Sequence, residues 1–113
     1  MRALLTAALL LPTTAAAFQP VTDRDTFVAI VEGKRLTGDG VGLIVSNDGA
    51  ITGRGFGFKV SGDWEWQGRY FCRTLTSMIR DFPRNCQTVA VQGDVVRFQA
   101  DQGTGDVADL TLR

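Results

Sequence analysis

From Leu36 onward the apolar residues recur with a period of two, broken by turn residues at close intervals, and this restricts the chain to antiparallel β structure. Val41, Leu43 and Val45 alternate with Gly42 and Ile44. Asn47-Asp48-Gly49 then supplies a turn in which positive φ is cheap, and Ile51 opens the return strand. Gly53, Gly55 and Gly57 are predicted to share one face of that strand, with Arg54, Phe56 and Phe58 on the other. A strip without side chains either bends a sheet or admits close approach by a backbone or a ligand. Gly38, Gly40 and Gly42 have the same spacing, so both arms of this hairpin are expected to bend.

Further turns divide the remainder. Ser61-Gly62-Asp63 precedes Trp64 and Trp66, which alternate on one face, and Gln67-Gly68 turns into Arg69-Tyr70-Phe71-Cys72-Arg73. Leu75, Met78, Ile79 and Phe82 have approximate helical spacing, but the stretch is short and ends near Pro83. Thr74 to Pro83 is therefore predicted as a long loop with at most one helical turn. Strands are predicted at Gln87 to Gln92, at Val95 to Ala100 beyond the Gly93-Asp94 turn, and at the C-terminus through Leu110 and Leu112. Asp101 to Asp106 reads as a polar loop. The total, six or seven short strands without β-α-β spacing, predicts a mainly β fold, a small curved antiparallel sheet or compact barrel.

Before Leu36 the pattern differs. Phe27, Ile30 and Val31 fall on one helical face, Thr22 and Asp25 have the spacing of a capping box, and Gly33 with Lys34-Arg35 ends the segment. One short N-terminal helix over residues 23–32 is predicted. Still earlier, Arg2, the apolar run Ala3 to Leu11 and the small residues Ala15-Ala16-Ala17 have the order of a secretory signal peptide. The expectation is a leader at 1–17 and a single β-rich domain at 18–113. That places the protein in the periplasm or outside the cell, with no membrane insertion after cleavage. Export gives Cys72 and Cys86 an oxidising compartment, which predicts a disulfide between them.

Composition removes several functions. The chain has no histidine, so Ser-His-Asp and Cys-His mechanisms and histidine metal centres are excluded. Without Arg2, 11 Lys plus Arg stand against 12 Asp plus Glu, scattered along the chain, and no nucleic-acid footprint results. The glycine repeats GDGVG, GRGFG and GTG lack the G-x-G-x-x-G spacing and lie in β-period sequence, which argues against a dinucleotide site. Asp101, Asp106 and Asp109 invite calcium. However, Asp106 stands where an EF-hand requires glycine, and Leu112 where it requires glutamate. Asp63 and Glu65 share a strand face, as solvated charges on a sheet often do. No catalytic residue, cofactor or metal ligand is predicted.

Three motifs remain: W-x-W-x-x-x-Y-F-C-R from Trp64 to Arg73, N-C-Q at Asn85 to Gln87, and V-R-F-x-x-D-x-G-x-G-D-x-A-D-L-x-L-R from Val96 to Arg113. With the V-T-D-R-x-x-F opening at Val21, these resemble a group of small exported alphaproteobacterial proteins of unknown function. Members often carry the automatic label dihydrodipicolinate reductase. The resemblance implies no catalytic residues. The label conflicts with the chain, since that enzyme is a two-domain nicotinamide-dependent protein with a glycine-rich nucleotide loop.

The leading expectation is a non-catalytic exported binding or structural module, with Trp64, Trp66, Arg69, Tyr70 and Arg73 as its candidate binding surface. One alternative is a small barrel carrying an apolar ligand in a cavity lined by these aromatics with Phe56, Phe58 and Phe98. Another is an inhibitor or partner of an exported enzyme, acting through Met78 and Ile79 on the bridged loop.

Overall fold

The computed structural model describes residues 17–113. The predicted leader lies outside the described residues except for Ala17. Nine strands and one regular helix follow: β1 (Gln19–Val21), α1 (Arg24–Val31), β2 (Leu36–Gly38), β3 (Val41–Val45), β4 (Ala50–Gly55), β5 (Phe58–Gln67), β6 (Tyr70–Ser77), β7 (Asp81–Gln92), β8 (Val95–Gln99) and β9 (Val107–Leu112). A short turn of residues Ala100–Gly103, with Asp101 and Gln102 in the left-handed region, begins the β8–β9 connection.

Strands β2 to β9 pair in antiparallel succession, and β2 also pairs with β9, which closes an eight-stranded barrel. Of the two forms expected, the sheet takes the barrel. The long β7 serves three neighbours. Its first half pairs with β6, while its second half has β8 on one side and β1 on the other. Closure satisfies the edge groups that an open sheet would leave unpaired.

The turns β2–β3, β4–β5, β6–β7 and β8–β9 lie at one end of the barrel, and the other turns lie at the opposite end with α1. The helix begins at Asp23, whose carboxylate accepts from the Thr26 N–H at 3.0 Å and from the Thr26 hydroxyl at 2.8 Å. The cap is therefore Asp23 with Thr26, one residue from the expected Thr22–Asp25 pair. Phe27, fully buried, sits with its ring centroid 5.1–6.3 Å from those of Trp64, Trp66, Phe71 and Phe98. Arg24 binds the Asn47 carbonyl and lies 5.1 Å over the Trp64 ring, fixing the helix to the β3–β4 turn. An aromatic core thus plugs one end of the barrel.

The segment Thr74–Pro83 is not a loop. It forms the end of β6 and the start of β7, joined by a turn in which Ser77 N–H and Oγ donate to the Arg80 carbonyl and Arg80 N–H donates to Ser77 Oγ. Helical spacing was misleading because Leu75 and Phe82 are register partners across this tight turn, which has Met78 and Ile79 at its tip. Below them the register shifts between Arg73 and Leu75. Arg73 faces Asn85 and Leu75 faces Phe82, which leaves Pro83 and Arg84 opposite Thr74 alone. This bulge breaks the two-residue period and accommodates a proline within the sheet.

The glycine strip also divides. Gly57 belongs to the β4–β5 turn, and Gly53 lies at φ 151° where any Cβ would collide with the Gly42 carbonyl oxygen. Of the three, Gly55 lines the interior space described below.

Candidate functional site

The barrel is hollow. A cavity of about 460 Å³ occupies its interior, within the range of small-molecule sites. Its wall is apolar, made chiefly by Leu36, Leu43, Val45, Ile51, Val60 and Leu110, with Phe71 and Phe98 above the helix plug. These side chains come from alternate positions of the strands, which is how period-two sequence lines a barrel. Glycine at 55 and alanine at 108 leave space where larger residues would fill it.

Asp39, Phe56, Ile79 and Arg80 also line the cavity, and all belong to the turns of one end. That end is its mouth. Phe56, itself at φ 51°, lies against Gly40, where any Cβ would come within 2.5 Å of the ring, and its N–H donates to the Gly40 carbonyl. Phe56 is 70% exposed, Ile79 60% and Met78 89%, so the mouth has an apolar rim.

Polar side chains are few on this wall. Arg73 stands on β6 between Phe71 and Leu75 and faces inward with them. Its Nη1 donates to the carbonyl of Pro83, the bulge residue, at 3.0 Å, and its guanidinium lies 6.0 Å from the centre of the Phe82 ring. Partial burial lowers its pKa from the ordinary arginine value, and it stands in the wall as a half-buried cation. Arg80 approaches the same ring at 4.7 Å. Gln87, 8% exposed, lines the wall beside Phe71 and reaches Asn85 Oδ1 at 3.4 Å. Asn85 in turn exchanges hydrogen bonds with the N–H and carboxylate of Asp101, tying the β8–β9 turn to β7.

The expected binding surface of Trp64, Trp66, Arg69, Tyr70 and Arg73 is not one surface. Trp64 is 5% exposed and donates to the Ser46 carbonyl at 2.8 Å, and Trp66 is half-buried against Phe27. Arg69 is exposed in the β5–β6 turn, next to the half-buried Tyr70 at the plugged end, whereas Arg73 lines the cavity. The tryptophans pack in the core because α1 brings Phe27 to them. Of the three phenylalanines expected in a cavity wall, Phe56 and Phe98 line it, and Phe58 is partly exposed at the start of β5.

Cys72 and Cys86 are direct partners on β6 and β7 and form the disulfide. Such a bridge fits an extracellular or otherwise oxidising compartment. No helix among the described residues is long and apolar enough to cross a membrane. Among them, too, no group of three metal-ligating side chains occurs. Asp101 is bound to Asn85 and Asp109 to Arg97, while Glu65 pairs with Arg84 at 2.6 Å. Arg80, Gln87 and Phe82 were missed as site residues, whereas Arg73, expected on a binding surface, lies in the cavity wall. For Arg73 the signal was present, since it occupies an inward period-two position between Phe71 and Leu75.

No family model, curated protein or solved structure matches the chain.

Proposed function

We propose that the protein is a non-catalytic exported binding module that holds an apolar small molecule inside its barrel. The observation that carries this reading is the cavity of about 460 Å³, apolar along its wall, plugged at one end by α1 and open at the other. An apolar wall with a few converging polar groups is the usual composition of a ligand pocket. The disulfide accords with export into an oxidising compartment.

The test is titration with N-phenyl-1-naphthylamine, an uncharged apolar dye that fluoresces when removed from water. The expected result is saturable binding of one dye per protein, weakened by Ala108→Leu, which takes up part of the void from its wall. Absence of saturable binding by the folded wild type would refute the reading.

Exposure of Met78 and Ile79 at the β6–β7 tip favours a second reading, a protein partner gripping that hairpin. A Met78→Ser/Ile79→Ser protein that keeps dye binding but no longer co-purifies with a periplasmic protein held by the wild type would support it. Unchanged co-purification would exclude it.

A further inference from the structure

A cavity meant only for a neutral hydrocarbon has no use for a guanidinium in its wall, since removing a cation from water is costly unless a partner compensates. Arg73 is a cation half removed from water in this wall. Among the described residues it makes no ion pair, and of its five N–H donors one is used, toward Pro83. The Pro83 carbonyl is available because the bulge removes it from the β6–β7 ladder, so the fold holds this arginine in place without neutralising it.

A second cation stands beside it. Arg80 lines the same cavity at its mouth, and the two guanidinia approach one aromatic ring, that of Phe82, at 6.0 and 4.7 Å. Two like charges gathered on one wall repel each other, and an anion placed near them relieves that repulsion. The one acidic side chain lining the cavity, Asp39, is exposed at the β2–β3 turn and lies within ion-pair distance of neither arginine. Asp81, next in sequence to Arg80, is also exposed and unpaired among the described residues. The remaining polar groups on the wall, Gln87 and Ser77, are neutral.

We propose that the ligand is an anionic amphiphile with a single hydrocarbon chain, its carboxylate held by Arg73 with Arg80 beside it and its chain lying along Leu36, Leu43, Ile51 and Leu110. This deepens the reading of the barrel as an apolar binding module and rests on it. Planar guanidinium donors match a carboxylate, and in a wall of low polarity such charge-assisted bonds are strong.

The experiment separates head from tail. Three amphiphiles with one dodecyl chain, dodecanoate, dodecanol and dodecyltrimethylammonium, compete against N-phenyl-1-naphthylamine on the wild type at neutral pH. Dodecanoate is expected to displace the dye at a concentration about tenfold or more below that of dodecanol, with the ammonium weakest. In Arg73→Gln the preference for dodecanoate over dodecanol, each referred to the variant's own dye affinity, should fall toward unity, and Arg73→Lys should recover part of it. Equal displacement by the three compounds on the wild type would overturn the anionic head while leaving the apolar site intact. So would a preference unchanged in Arg73→Gln. If neither the dye nor any of the three binds the wild type, the barrel reading itself fails. The wild-type series decides the matter even where a variant does not fold.

Discussion

At the scale of single residues, placement depends on which face of a strand a side chain takes and on what docks against it. Arg73 and Trp64 are register partners on β6 and β5, yet one faces a void and the other packs under the helix. Local alternation puts Trp64 on a face with Trp66, and Arg73 on a face with Phe71 and Leu75. It did not reveal that the interior is solid near Phe27 and hollow beyond Phe71, because the same apolar residue types fill a core or line a cavity. Asp23 shows the limit on a smaller scale. Two oxygen-bearing candidates, one residue apart, compete to cap α1, and backbone direction selects Asp23. The Thr26 N–H first, then its hydroxyl, hold the Asp23 carboxyl below the ordinary 3.8. A carboxyl with a depressed folded-state pKa stabilises the fold while ionised. The contribution is complete above the unfolded value near 3.8 and is lost as pH falls through the lower folded value. Asp23→Ala should therefore lower Tm by a few degrees at neutral pH, and its difference from the wild type should shrink in acid. Asp23→Asn, which caps without titrating, should keep most of the stability and show no such narrowing. Thermal melts across the acid range by circular dichroism measure all three.

The informative element is the β6–β7 hairpin. Its strands were legible at their outer parts, in Tyr70 to Arg73 and Gln87 to Gln92, but not across Thr74–Pro83. There the tight turn between the paired Leu75 and Phe82 gives Leu75, Ile79 and Phe82 a deceptive helical spacing, and the bulge beside it shifts parity by one residue. The same irregularity supplies the Pro83 carbonyl that holds Arg73, so the part least readable as structure is also the part that builds the polar wall. The disulfide is anchored beside it, one register pair from Arg73–Asn85. Replacing both Cys72 and Cys86 by alanine is expected to cost about 2–4 kcal/mol, in the range of loops of this size. Urea unfolding with and without reductant checks the figure, and the double variant should no longer respond to reductant. At the mouth, Phe56 leans on Gly40 and covers part of the opening. Phe56→Ala should speed both association and dissociation of N-phenyl-1-naphthylamine with a smaller change in Kd, as stopped-flow fluorescence would show. A large loss of affinity with unchanged rates would mean that Phe56 belongs to the binding wall and not to the mouth.

Over the whole molecule, an antiparallel β fold was readable, whereas its closure depends on a three-residue strand that alternation barely registers. β2 joins β9 through Leu36–Leu112 and Thr37–Thr111, flanked by reciprocal 2.9 Å bonds between the backbones of Arg35 and Arg113. By contrast β5 and β6 are paired along eight positions, from Val60–Ser77 to Gln67–Tyr70. The barrel therefore has one narrow seam. Its main apolar fastening is Leu36, 1% exposed, which packs in the core and lines the cavity. Leu36→Ala should cost about 2–5 kcal/mol, as for other buried leucines, but where that cost falls is the sharper question. If the seam opens before the rest, backbone amides of β2 and β9 will exchange with solvent faster than those of β5 and β6, already in the wild type and more so in the variant. Dye release would then precede loss of near-ultraviolet tryptophan dichroism on urea titration, because Trp64 and Trp66 lie with Phe27 at the plug and not at the seam. Coincident transitions and uniform exchange would instead make the barrel a single cooperative unit. In that case a ligand must pass through the mouth between Phe56 and Ile79, since no side opening of the wall would be available to it.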